Sequence, residues 1–230
     1  DTSVREAKDR VRAAILSSGY RFPHLRITIN LAPADIRKEG SAFDLAVAVG
    51  ILAAQGDLCK DGALLRTLVL GELALDGKLR PVRGVLPVAA EAKASGVEAI
   101  LVPRANRREA TLVRGLGVYS AESLLQAVEL LQGNGPPELS EPGVVPSLEK
   151  GPDLRDVRGQ FLARRALEIA AAGGHNLLLS GPPGAGKTLL ARRLPSILPP
   201  LSFEEALEVT RVHSVAGKLT EDRFLLTQPP

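Results

Sequence analysis

Eight residues, Gly181-Pro182-Pro183-Gly184-Ala185-Gly186-Lys187-Thr188, constrain this chain more than any other stretch. They have the form G-x-x-x-x-G-K-[ST], the pattern of a phosphate-binding loop. Glycine lets the backbone turn tightly around a phosphate with no side chain in the way. The amides near Gly184, Ala185, Gly186 and Lys187 can then donate to phosphate oxygens, and the positive end of the following helix favours the same anion. In such a loop Lys187 reaches the β and γ phosphates and the Thr188 hydroxyl ligates Mg²⁺. The flanks suit the loop. His175 to Ser180, with Leu177, Leu178 and Leu179, reads as a short buried strand, and Leu189, Leu190 and Leu194 give an apolar face to a helix from Lys187 to about Leu194. The expected nucleotide contacts are therefore Gly181, Pro182, Pro183, Gly184, Ala185, Gly186, Lys187, Thr188 and Leu189. The expected cofactors are ATP and Mg²⁺, with Thr188 the metal ligand.

A hydrolytic loop of this kind also needs an acid at the end of a second hydrophobic strand to organise the Mg²⁺. No such acid follows Thr188 in the sequence. Glu204, Glu205 and Glu208 fall in a helical pattern behind Ser202 and read as solvated helix charges, and Asp222 follows no hydrophobic strand. No catalytic residue is assigned, and the chain is expected to bind nucleotide without efficient hydrolysis. Methionine is absent even at position 1, and the chain closes on Gln228-Pro229-Pro230, so it reads as part of a longer protein.

Gly133 to Asp156 carries Gly133, Gly135, Pro136, Pro137, Pro142, Gly143, Pro146, Gly151 and Pro152. Neither helix nor strand survives such a run, which predicts a linker over 133–156 between a domain at 1–132 and a second at 157–230. The first domain alternates helices and strands. Val4, Ala7, Val11, Ala14 and Ile15 recur at helical spacing behind Thr2 or Ser3 as cap. Leu25 to Leu31 alternates like a half-buried strand, and Phe43 to Ala54 is apolar almost all round, as a buried helix is. Leu68–Leu75 and Lys78–Val82 flank the hairpin signal Asp76-Gly77. A helix near Val85–Ala94, a strand at Ala99–Val102, a short helix from Asn106, a strand near Gly117–Tyr119 and a helix from Ala121 to Leu131 complete a mixed α/β domain. In the second domain, Phe161 to Ala172 reads as a helix ended by Gly173-Gly174. Ser202-x-x-Glu205 looks like a capping box opening a helix through about Val212.

Composition narrows the classes further. A chain 45% hydrophobic and 24% charged is globular and not disordered. With 3% aromatics the core rests on Leu, Val, Ile and Ala. No apolar run approaches the ~18–20 residues a membrane helix needs, and there is no signal-peptide pattern, so no membrane partner is expected. Cys59 is the only cysteine, which excludes an intrachain disulfide and suits the reducing cytoplasm. His24, His175 and His213 lack metal-ligand spacing. Arg104, Arg107, Arg108 and Arg114 form the densest basic cluster of the first domain. With a net charge of +3 and few rings to stack on bases, it reads as a solvated face, with contact to a phosphate backbone left open. Arg192 and Arg193 face either a neighbouring subunit or solvent.

The second domain resembles the ATPase domain of the magnesium-chelatase-like AAA+ family. The residues that carry the resemblance are Asp156-Val157-Arg158-Gly159-Gln160, then Arg165 through Leu178 leading into the phosphate loop, then Leu190-Ala191-Arg192-Arg193-Leu194-Pro195-Ser196-Ile197-Leu198-Pro199-Pro200-Leu201. Asp1 to Ala7 and Lys38-Glu39-Gly40-Ser41-Ala42-Phe43-Asp44-Leu45 look like the N-terminal domain of the same family, and the two-domain order is that of its ComM/YifB-type competence proteins. The resemblance implies a ring-forming ATPase, self-associating as a hexamer, with members implicated in DNA processing during natural transformation. It also implies that Val157, Gly159 and Gln160 lie over the adenine. The Walker B strand, sensor residues and arginine finger are the parts of the family's ATPase not found.

The first domain also resembles the proteolytic domain of Lon. Aligned on that pattern, the nucleophile position falls on Ala42, not Ser41, and the activating lysine falls near Leu86. A serine with no adjacent base is a poor nucleophile, so a non-proteolytic Lon-like domain is expected, with Ser41 capping the buried helix. Three other readings stand beside the DNA-directed ATPase: the motor subunit of magnesium chelatase, a Lon-type protease, and a nucleotide-binding scaffold without turnover. The Lon-like domain ahead of the ATPase argues against the first, and Ala42 with Leu86 against the second.

Overall fold

The computed structural model describes residues 2–31, 40–58, 62–138, 152–220 and 222–229. The chain divides into two compact units: Asp1–Val144 with Arg211–Phe224, and Val145–Thr210 with Leu225–Pro230. The expected cap at Thr2 or Ser3, Lys38-Glu39, Cys59 and the middle of the expected linker lie outside the described residues or side chains.

The first unit is a mixed α/β fold around a parallel sheet. In chain order it runs α1 (Thr2–Ser17), α2 (Asp44–Gln55), α3 (Gly62–Leu65), β1 (Thr67–Val69), β2 (Glu72–Leu73), β3 (Leu79–Arg80), α4 (Val85–Ala94), β4 (Ala99–Pro103), α5 (Arg107–Ala110), β5 (Gly117–Ala121) and α6 (Leu124–Leu131). The three-stranded sheet has the order β1-β4-β5 with both pairings parallel, Thr67 opposite Ala99 and Ala99 opposite Gly117. The central strand β4 is buried at every position, as a parallel strand covered on both faces must be. Because side chains alternate along a strand, Leu101 joins one core with α1, α2 and α6, while Ile100 and Val102 join another with α4 and α5.

Local chemistry sets the element ends. The antiparallel pair β2–β3 turns at Asp76-Gly77, where Gly77 has φ 83°. The expected long strand 68–75 is two pieces, because the chain changes sheets at Leu70-Gly71. The Leu70 N–H donates to the Leu101 carbonyl at 2.9 Å, and the Gly71 N–H donates to that of Ala42 at 2.9 Å. A Cβ at Gly71 would stand 3.0 Å from the buried Leu45 side chain, which would have to give way to admit it. Helix α6 starts at Leu124 instead of Ala121. Ala121 is still paired with Pro103 in the sheet, and the Ser123 hydroxyl caps the helix by accepting the Gln126 N–H at 3.3 Å.

Two expected strands are not strands. Residues 25–31 are without regular structure and exposed, Leu25 by 81%, and 175–180 are likewise without regular structure, with Leu178 exposed by 91%. Alternating or apolar runs become strands only where a neighbour takes up their backbone hydrogen bonds, and among the described residues neither segment has such a partner. Ser41 also departs from expectation. Helix α2 has no side-chain cap. Of Ser41, the carbonyl serves the helix end by accepting the Asp44 N–H at 3.1 Å, while the hydroxyl donates to the Glu72 carboxylate.

The second unit holds a 3₁₀ turn at Leu154–Asp156, α7 (Phe161–Gly173), α8 (Lys187–Ala191), a second 3₁₀ turn at Leu194–Ile197 and, as far as Thr210, α9 (Phe203–Val215), whose residues from Arg211 on count with the first unit. Helix α8 is shorter than expected. Arg192 and Arg193 leave it as a turn, and Pro195 sits in the 3₁₀ turn that follows. The capping box ahead of α9 is formed both ways: Ser202 N–H donates to the Glu205 carboxylate at 2.8 Å, and Glu205 N–H donates to the Ser202 hydroxyl at 3.3 Å. Glu204, Glu205 and Glu208 are exposed.

Candidate nucleotide-binding site

The loop from Gly181 to Gly186 enters α8 directly, so Lys187 is the first residue of the helix and Thr188 the second. Gly184 and Gly186 have φ of 81° and 80°, a region in which an L side chain is strained. The loop's tight path is thus written into its glycines. The half-buried Lys187 side chain folds over the loop, where its ammonium donates to the carbonyls of Gly181 at 2.7 Å and Pro182 at 2.8 Å. Thr188 is exposed beside it. Leu189 is 44% exposed, whereas Leu190 is buried and anchors the helix in a small core with Leu154, Val157 and Leu167.

That core brings the turn at 157–160 to the loop. Val157 is buried at 5% exposure, and its carbonyl accepts a hydrogen bond from Arg164 at 3.4 Å. Gly159 and Gln160 are both left-handed, with φ of 67° and 52°. For Gln160 that conformation costs ~1 kcal/mol. Its side-chain amide donates to the Ala185 carbonyl in the middle of the loop at 3.0 Å. The sequence places Gln160 in a motif but carries no signal for this contact, which joins positions 25 residues apart.

Other residues picked out from the sequence have structural partners. Arg104 pairs with Glu122 at 3.2 Å, Arg107 with Glu138, and Arg108 with Asp222 at 4.0 Å while lying over the Phe224 ring. The Arg193 guanidinium donates to the Leu189 carbonyl at 3.0 Å. His213 lies half-buried in α9, and its carbonyl accepts the Lys218 N–H. In the first unit Ala42 packs against the core and Leu86 is 1% exposed, so both positions aligned with the Lon dyad are apolar. A buried polar cluster has no sequence signature. Glu109 accepts hydrogen bonds from the Leu86 N–H at 2.8 Å, the Asn106 amide at 3.3 Å and the Ser214 hydroxyl. Among the described residues no three His, Cys, Asp or Glu side chains are grouped to hold a metal, and no helix is long and apolar enough to cross a membrane.

Comparison with known proteins gives these arrangements a family. Residues 1–106 match the family described as subunit ChlI of Mg-chelatase, and residues 153–230 match that described as magnesium chelatase, subunit ChlI. The uncharacterized protein YifB of Salmonella typhimurium is 49% identical over 229 residues, which span 100% of this chain and 45% of that protein. Competence protein ComM of Haemophilus influenzae is 45% identical over 221 residues, 94% of this chain and 43% of that protein. An uncharacterized protein of Mycobacterium tuberculosis is 47% identical over 232 residues, 100% of this chain and 46% of its own. The chain therefore belongs to the magnesium-chelatase-like family, an AAA+-like and ATPase-related group, and within it to the ComM/YifB type. It spans a little under half the length of these relatives. Similarity to Lon protease 2 of Bacillus subtilis is weaker, 25% identity over 131 residues, 56% of this chain and 23% of that protein.

Proposed function

We propose that this chain is the nucleotide-binding part of an AAA+ ATPase that acts in DNA processing as a ring-forming assembly. The observation that carries the reading is the loop itself. Left-handed glycines at 184 and 186 shape it, and Lys187 already holds its ammonium over the loop carbonyls. These residues fit a nucleoside triphosphate. The loop and Lys187 would hold its phosphates and the Thr188 hydroxyl would hold Mg²⁺, which neutralises phosphate charge when bound. An anionic phosphate is a stronger acceptor for the ammonium than the two neutral carbonyls it now contacts. The turn Val157–Gln160 would flank the adenine, as the family resemblance implies. No acid at the end of a second strand follows Thr188 in the sequence, so hydrolysis is assigned to the longer protein and only binding to these 230 residues. DNA as substrate rests on the competence relative and on the resemblance. The first unit is proposed to be a Lon-like module without peptidase activity.

Titration with ATP tests the central statement. Saturable binding is expected, and Lys187→Ala should weaken it about 10- to 100-fold, the scale of a lost charge-assisted hydrogen bond. Equal affinities for wild type and variant would remove the assignment.

A further inference from the structure

Gln160 is the one non-glycine residue with positive φ among the described residues, at φ 52° and ψ 40°. A residue is kept in that region only where its surroundings over-determine it. Here they do. The Gln160 carbonyl accepts the Arg164 N–H at 2.9 Å as α7 begins, and buried Val157 fixes the turn from the other end. The left-handed step delivers the side-chain amide to the Ala185 carbonyl at 3.0 Å. The peptide joining Ala185 to Gly186 is planar and trans, so its C=O and N–H point in opposite directions. Holding the carbonyl towards Gln160 turns the Gly186 N–H to the other side of the loop. Gly186 leaves room for the arrangement: a Cβ there would stand 3.3 Å from the Gln160 amide nitrogen, close enough to make the amide give way by a few tenths of an ångström.

We propose that Gln160 is a positioning residue for the phosphate loop: its side-chain amide locks the Ala185–Gly186 peptide so that the Gly186 N–H is presented to a nucleotide phosphate. The inference rests on the nucleotide-binding reading above. It gives the Gln160 side chain a partner in the loop, distinct from any contact of its turn with adenine.

The test compares the full chain with Gln160→Gly and Gln160→Glu. The first removes the amide together with the left-handed strain. The second keeps the size but replaces the donor with a carboxylate facing a carbonyl. Affinity is measured for ATP and, by competition, for tripolyphosphate, which has no base. Both variants should lose about tenfold in affinity for both ligands, the scale of one lost hydrogen bond, with Gln160→Glu the weaker. The melting temperature of nucleotide-free Gln160→Gly should be no lower than wild type, because glycine adopts this φ freely. The inference is overturned if the variants bind ATP as wild type does. It is also overturned if only ATP binding suffers, which would mark an adenine contact, or if the loss is matched by a fall in melting temperature. A wild-type chain that does not bind ATP would instead overturn the nucleotide reading itself.

Discussion

Ser41 and Glu109 show what single side chains can and cannot announce. Ser41 sits next to the position aligned with a protease nucleophile, yet its hydroxyl is already donated to Glu72, which in turn lies 3.7 Å from Arg80. The position aligned with the activating lysine is the buried Leu86, which cannot take a proton from the serine. A serine-reactive fluorophosphonate should therefore leave Ser41 unlabelled after prolonged exposure. Stoichiometric labelling that disappears in Ser41→Ala would show that the first unit retains an activated serine. Asp44, 3% exposed, is held by Arg10 at 2.8 Å, and that hydrogen bond first of all raises the Arg10 pKa. Glu109 reaches Ser214, 105 positions away. Neither pairing has a spacing rule. A lone buried carboxylate looks like any surface acid until the chain has folded around it, so these contacts were not legible in the sequence. The glycine-rich turn leading into α8 was legible, because a local turn of that kind needs those residue types in that order.

Elements whose determinants are local came through in the same way. Helices α2, α4, α6 and α7 follow apolar periodicity and end residues, and the hairpin at Asp76-Gly77 follows its turn chemistry. Segments 25–31 and 175–180 carry strand-like patterns but form no strand, since a strand is a property of a pair and the sequence shows only one member. The capping box before α9 is the most local device of all, and it yields a pH prediction. The hydrogen bond from the Ser202 hydroxyl, then that from its backbone, holds the Glu205 carboxyl below its ordinary value. A lowered folded-state pKa means the box contributes fully above the unfolded value of about 4.3 and is lost as pH falls through the lowered one. Carboxyl titration by NMR should place the Glu205 midpoint below that of an ordinary glutamate, and Ser202→Ala should return it upwards. Identical midpoints in wild type and variant would mean the box does not persist in solution.

For the molecule as a whole, charge and length decide what it can do alone. The net charge is +3, and three of the four arginines in the basic cluster of the first unit are engaged with Glu122, Glu138 and Asp222. DNA phosphates would have to displace those carboxylates, so one copy offers little surplus positive charge. Affinity for DNA is then expected to depend on assembly, where many copies act on one strand and each adds its own counterion release. Assembly should depend on nucleotide in turn, because a ligand that contacts only the associated state favours it by mass action. Full-length protein should sediment as a larger species with ATP than without, and Lys187→Ala should abolish the difference. Its affinity for DNA should rise with that assembly and fall steeply with added salt, while the 230-residue chain binds DNA weakly under the same conditions. A full-length protein that stays monomeric with ATP and ignores single-stranded, double-stranded and branched DNA at low salt would exclude the DNA-directed ring.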